Sequence, residues 1–303
     1  MSSGSVEVAG GRFTPGSVTG VRPQLLSVVM AVRNEAAHLD EQLAALAAQE
    51  YEGAWEVVVA DNGSTDDTRA RAQAWTERLR LRIVDASARR GPGAARNDGV
   101  AAAAGDALAF CDGDDIVAPG WLAAHAHALD EADLVAGAIA FFDERRELGL
   151  PPVPTRAPTL LGWLPYAGGG NASVWRTAFE GVGGFPERNP CGEDVEFSWL
   201  VQLAGLTFAY QPAAVVHRRT RSGTRAQLRQ AYRYGKCDVD LYARYRDRGA
   251  TRAAPASLTR TYLGLVARLP GLGSPEIRGR WATQAGRRAG RIVASARARV
   301  LLP

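Results

Sequence analysis

The chain has 303 residues, 46% hydrophobic and 22% charged, which excludes collagen-like and wholly disordered classes. No run approaches the roughly 18 apolar residues of a membrane-spanning helix. A net charge of +4 conceals an asymmetry: residues 211–303 hold 20 Lys and Arg against 4 Asp and Glu, and residues 1–210 hold 16 against 28.

An acidic body with a basic tail points to an anionic partner: a phosphorylated substrate, an anionic lipid surface or nucleic acid. Residues 1–24 are rich in Gly, Ser and Pro and lack the basic start and apolar core of a secretory leader. They read as a loose tail on a soluble, cytoplasmic protein. Cys111, Cys191 and Cys237 are far apart and form no CxxC pair. That spacing predicts neither a disulfide framework nor a cysteine zinc site, and fits a reducing compartment.

The body alternates strands with helices. "LLSVVMAV" (25–32) is a continuous apolar run of strand length, of the kind a parallel sheet buries on both faces. Helical spacing over 35–49 follows, then a strand over 55–60 closed by the turn signal "DNGSTDD". A polar helix (66–79), a strand (80–87), an Ala-rich helix bounded by glycine (91–105) and a strand (107–112) complete the pattern. This alternation predicts a doubly wound α/β domain with right-handed crossovers. Ligands of such sheets sit at the carboxyl ends of the strands, so Asp61 and Asp112 are expected to face one crevice.

Beyond residue 118 the pattern loosens. A helix over 121–132, a strand over 133–142, a proline-rich loop over 147–160 and a helix starting near Glu193 are expected. The last third reads as arginine-rich helices, of which 227–248 is amphipathic with interleaved tyrosines. Its basic face is either solvated or turned to a phosphorylated lipid or membrane surface.

"LAFCDGDD" (108–115) runs an apolar strand into three carboxylates. Two charges ~4 Å apart repel by about 4 kcal/mol at an effective dielectric of ~20. A solvated acidic turn absorbs that cost, and so does a hard divalent cation with oxygen ligands. His125 and His127, two apart on a helix, make a poor metal pair. Asp61 can accept a nucleobase N–H, Asn62 and Gly63 suit a tight turn, and Asp66 suits the start of the next helix.

"SVVMAVRNE", "VVVADNGSTDDT", "GAARNDG", "FCDGDD" and "CGEDVEF" occur in the order and at about the spacing of the family 2 glycosyltransferases, which the chain resembles over residues 25–220. The resemblance implies a GT-A fold: a Rossmann-like, mostly parallel sheet flanked by helices, here with a helical, basic C-terminal extension over 221–303. It implies an inverting, hexosyltransferase-type enzyme that uses a nucleotide-diphosphate sugar, UDP-linked by preference, and Mg²⁺ or Mn²⁺. Glu35 and Asp61 then look like nucleoside-binding acids, and Arg96 is either a further nucleotide contact or a helix-surface arginine. Asp112 is expected at the ribose and metal, Asp114 as the main ligand of the cation, and Asp115 as a lesser contributor or a cap. His217 is either a further ligand or structural. Gly170 and Asn171 belong to the donor-sugar and acceptor wall. Asp194 is implied as the general base, supported by Glu193. Alternatively, that acidic pair simply stabilises a helix N-terminus through its dipole.

The acceptor reads as an unknown hydroxyl compound, lipid-linked or polysaccharide, with the basic helices a peripheral contact for the inner membrane face. Two alternatives stand beside this reading. One is a nucleotidyltransferase, against which the absence of a Gly-rich phosphate loop after the first strand speaks. The other is a degenerate nucleotide- or nucleic-acid-binding protein working through its basic tail, for which an intact set of acids would be superfluous.

Overall fold

The computed structural model describes residues 21–142, 153–188, 191–220, 223–252 and 255–302. These fall into two compact units. One holds the described residues of Met1–Pro158, Pro165–Arg188 and Glu193–Arg219; the other holds those of Thr159–Leu164, Asn189–Gly192 and Thr220–Pro303.

In the first unit, strands β1 (Leu26–Val32), β2 (Trp55–Asp61), β3 (Leu81–Asp85) and β4 (Ala107–Asp112) alternate with helices α1 (Leu39–Ala47), α2 (Thr68–Gln73) and α3 (Pro92–Ala102). A short β5 (Ile116–Val117), α4 (Trp121–Ala128), β6 (Leu134–Phe142), β7 (Asn171–Trp175), α5 (Arg176–Gly181), α6 (Glu193–Leu203) and a long β8 (Phe208–Arg219) follow. The eight strands form one mixed sheet in the order β3-β2-β1-β4-β7-β6-β8-β5. The β3-β2-β1-β4 half is parallel, while β7 runs antiparallel to both neighbours and β5 antiparallel to β8.

The parallel half follows the sequence expectation closely because its strands are apolar throughout. Val28, Val29, Met30, Val57, Val58, Leu108, Ala109 and Phe110 are all completely buried between helical layers. The helix expected over 66–79 stops at Gln73. Beyond it the chain turns on i→i−3 bonds from Trp75 and Thr76, and the Trp75 indole donates to Asp40 at 2.9 Å. A tertiary hydrogen bond here outweighs local helix propensity. Neither β5 nor α5 was expected from the sequence, being only two and six residues long. The proline-rich loop falls partly outside the described residues, as does most of the N-terminal tail.

The second unit is helical: α7 (Thr224–Tyr245), α8 (Pro255–Ala267) and α9 (Pro275–Ala298). α7 and α9 approach closely through small residues. A Cβ on Gly235 would strike the Arg287 carbonyl, and one on Gly290 the Tyr232 carbonyl. Asp238, 2% exposed, is held by Arg287 and Arg291 at 2.7 and 2.8 Å, so the charge buried at that seam is paired.

One expectation is overturned here. Cys191 and Cys237 form a disulfide, with Cα atoms 6.1 Å apart, within bonding range. A separation of 46 residues carries no local signal, and only the packing of the 191–192 segment on α7 brings the two sulfurs together. Cys111 is the free, buried cysteine. Among the described residues no helix is long and apolar enough to cross a membrane.

Candidate active site

Strand register assembles the site. β1 lies between β2 and β4, with Val32 paired to Asp61 and Ala31 to Asp112. Both aspartates therefore stand at the carboxyl edge of the parallel sheet, two strand spacings or about 10 Å apart in the backbone. Asp61 is 6% exposed and accepts the Ser64 N–H at 2.9 Å, closing the turn after β2. Asn62 holds that loop through the Ala86 and Arg89 carbonyls, and Gly63 takes the positive φ of 76° that the turn needs. Asp66 accepts from the Thr68 N–H at the start of α2. Glu35 is half-buried in the β1–α1 connection, its N–H donating to Thr68 Oγ1.

Past β4 the chain turns through Asp112, Asp114 and Asp115. These three carboxylates can each offer an oxygen, all lying within 4.8 Å of one another. Asp115 is 2% exposed and accepts from the Arg219 N–H at 3.1 Å and from Arg218 Nε at 3.2 Å. Burial pushes its carboxyl up to about 7; Arg218 opposes the rise, and the charges of Asp112 and Asp114 add to it. Arg218 also lies 3.6 Å from Asp112, so one guanidinium bridges two of the three acids. A cluster of hard oxygen donors is the donor set that Mg²⁺ and Mn²⁺ take. His217 stands outside that cluster, opposite Ile116 in the β5–β8 ladder. Its Nδ1 is buried without a partner, and burial lowers its pKa.

Arg96 is not on the helix surface. It is 4% exposed, donating to Asp112 Oδ1 at 2.7 Å and to Glu193 Oε1 at 3.1 Å. Burial opposes its charge, but Asp112, Glu193 and Asp194 outweigh that effect and raise its pKa. Glu193, 7% exposed at the start of α6, is pushed up to about 7 by burial and then by the Asp194 charge, with Arg96 opposing. Asp194 is oriented by backbone: Gly169 N–H donates to Oδ2 at 3.0 Å and Val195 N–H to Oδ1 at 2.8 Å. The acids of the first turn suit the positive end of α6. Beneath them Phe185 packs on Phe197 and on Phe110 of β4, with ring centroids 4.7 and 5.1 Å apart, tying α6 to the strand that carries Asp112.

The Gly168–Gly170 segment closes this side. A Cβ on Gly170 would strike Asp112 Oδ2, and one on Gly169 would meet the Arg96 guanidinium at 2.6 Å. Asn171 points elsewhere. It is fully buried, accepting from the Trp121 indole and His125 Nε2 and donating to the Ala138 and Ala214 carbonyls. All four hydrogen-bonding positions of its amide are therefore used inside the sheet, leaving none for a sugar. His125 belongs to the same buried network through Ser173, and burial lowers its pKa to about 4. The sequence offers Arg218, Arg219 and Arg221 as neutralisers of a diphosphate or as the start of the basic tail, with no signal that Arg218 bridges two of the acids; Asp115 shows only as the fourth position of "DGDD".

Residues 27–183, just over half the chain, match the family model described as Glycosyl transferase family 2. The chain belongs to glycosyltransferase family 2. That assignment removes the nucleotidyltransferase alternative. Asp61, Arg96, Asp112, Asp114 and Asp115 lie within the matched residues, while Glu193, Asp194 and Arg218 lie beyond them. Among curated relatives, this family 2 chain is 29% identical over 241 residues to the pre-mycofactocin glycosyltransferase of Mycobacterium tuberculosis. That alignment covers 74% of the chain and 49% of the relative, so the chain spans about half that protein's length. It is 28% identical to the glycosyltransferase AglE of Haloferax volcanii, covering 72% and 74% of the two. Its fold matches the mannosyltransferase PcManGT of Pyrobaculum calidifontis, solved with GDP-Man and Mn²⁺, at a TM-score of 0.61, 21% identity and 93% and 90% coverage. S. aureus TarS 1–349 with UDP-GlcNAc follows at 0.56, 18% identity and 92% and 93% coverage. The GT-A fold is thereby shown.

Proposed function

We propose that this family 2 chain is an inverting glycosyltransferase dependent on a divalent cation, moving a sugar from a nucleotide-diphosphate donor to an acceptor hydroxyl. One observation carries the reading: Arg96 links Asp112 of the three-aspartate cluster to Glu193, the residue beside Asp194. One buried arginine thus ties the acid cluster to the residue that precedes the candidate base. Similar folds solved with GDP-Man and Mn²⁺ or with UDP-GlcNAc support a nucleotide-sugar donor, and we take a UDP-linked one as first choice.

Asp112, Asp114 and Asp115 would hold Mg²⁺ or Mn²⁺, which when bound would supply Lewis-acid neutralisation of a departing diphosphate. Asp61 and Glu35 bind the nucleoside. The Gly169–Gly170 backbone lines the sugar. Asp194 takes the acceptor O–H proton as that oxygen forms its bond to the anomeric carbon and the bond to the diphosphate breaks on the opposite face. A general base of this kind contributes about 10²–10⁴-fold. Glu193 and Arg96 position it. His217 and Asn171 have no part in this scheme. The acceptor is a lipid-linked or polysaccharide hydroxyl, and the basic helices bring the chain to an anionic membrane face.

Calorimetry of UDP-sugars with and without Mn²⁺ tests the donor site. Asp114→Ala should abolish the metal-dependent part of binding. Asp194→Asn should keep donor affinity and lose transfer; near-wild-type turnover in that variant would remove Asp194 as base. Salt-sensitive nucleic-acid binding with no response to any nucleotide sugar would instead favour the degenerate alternative.

A further inference from the structure

We infer that Tyr262, Leu263, Val266 and Leu269, with the arginines around them, form a surface that seats on a bilayer rich in anionic phospholipid. The inference specifies the membrane contact proposed above and is independent of glycosyl transfer. Leu263, Val266 and Leu269 are 64%, 63% and 48% exposed, and Tyr262 is 37% exposed. Their spacing places them along one side of α8 and its continuation. The other side is engaged: the Trp281 indole donates to the Leu265 carbonyl at 3.1 Å, and Arg268 to Gln284 at 3.0 Å. Arg288 lies 6.0 Å from the Tyr262 ring, and Ile292, one turn further along α9, is 53% exposed. Large aliphatic side chains displayed together to water on a soluble surface mark an interaction site.

Charge selects the occupant. Residues 255–298 contain eight arginines and one acid, Glu276, which pairs with Arg280 at 2.7 Å; Arg287 and Arg291 are committed to Asp238 of α7, so the basic excess of this face rests on the others. Two copies meeting through this face would bring like charges together. A nucleic-acid backbone would satisfy the arginines but leave leucine and valine against phosphate. A headgroup layer of anionic phospholipid answers both, with phosphates for the guanidinium groups and the acyl boundary for the aliphatic stripe.

Sedimentation of the full chain with phosphatidylcholine/phosphatidylglycerol vesicles, against phosphatidylcholine alone, tests this. Binding to the anionic vesicles is expected to fall at least ~10-fold on neutral vesicles and in roughly 0.5 M salt. The double variant L263E/V266E should lose it to the same extent with an unchanged thermal midpoint and unchanged donor affinity. In Leu263→Trp, the emission should move to shorter wavelength on anionic vesicles. Equal sedimentation of wild type and L263E/V266E, or an unmoved Leu263→Trp spectrum, would overturn the proposal. So would a concentration-dependent dimer abolished by L263E/V266E, or a preference for RNA over the vesicles. Failure of transfer with vesicle binding intact would count against the catalytic reading alone.

Discussion

Arg96 donates to Asp112 Oδ1 at 2.7 Å, joining the Ala-rich helix α3 to the end of the central strand β4. Its second nitrogen reaches Glu193, so one buried cation offsets acids from two other elements. Removing it strands those carboxylates, and breaking a buried pair costs about 3–5 kcal/mol. Arg96→Gln should lower the unfolding free energy by about 3 kcal/mol and reduce kcat by 10²-fold or more. Arg96→Lys keeps the charge but not the two-pronged geometry, and should recover most of the stability and little of the activity. Denaturant unfolding and transfer kinetics on both variants check the split.

Gly170 packs where a side chain would displace the Asp112 carboxylate. Gly170→Ala should weaken Mn²⁺-dependent donor binding by at least ~10-fold, a loss of about 1.4 kcal/mol. The fold itself should lose little, because the new methyl group meets side-chain atoms that can shift. Calorimetry beside a thermal melt separates the two effects.

Asp115 carries a pH prediction. Its carboxyl stands at about 7 in the folded chain against an ordinary 3.8, because it is buried among other acids. The folded state therefore binds more protons between those values. The stability this group contributes is complete below about 3.8 and is lost as pH rises through about 7. Asp115→Asn should flatten the decline in thermal midpoint between pH ~5 and ~8. Mn²⁺ should raise the wild-type midpoint more at pH ~8 than at pH ~6, because protons compete for the same oxygens. Equal stabilisation at both values would disconnect Asp115 from the cation.

The Cys191–Cys237 disulfide spans 46 residues. Closing a loop of that size stabilises by about 4 kcal/mol in the chain-entropy account. Reduction with dithiothreitol, or Cys237→Ser, should lower the stability of the helical unit by an amount approaching this. Helical circular dichroism under denaturant reads it directly. An unchanged transition would mean the bridge constrains nothing that unfolding releases.

Part of the site was legible because its residues announce themselves locally. Asp61 and Asp112 each end an apolar strand, and a parallel sheet sends all such ends to one edge. The acidic pair at 193–194 was legible as the start of a helix, although not as a partner of Arg96. Asn171 is assigned to the donor-sugar and acceptor wall through the family resemblance alone, and no local pattern in the sequence bears on it. The amide in fact ties β7 to the adjacent β6, to β8 beyond it and to α4, and nothing within a few residues of it reveals which backbone carbonyls lie near.

The order of elements, the parallel half of the sheet and the identity of the acidic turn were determined by the sequence itself, since burial pattern and strand length act over short range. Tertiary structure alone decided which charge meets which. Arg96 and Glu193 are 97 residues apart, and Arg218 and Asp115 are 103 apart. Such pairings depend on how helices lie on the sheet, because an ion pair senses distance in space and not separation along the chain.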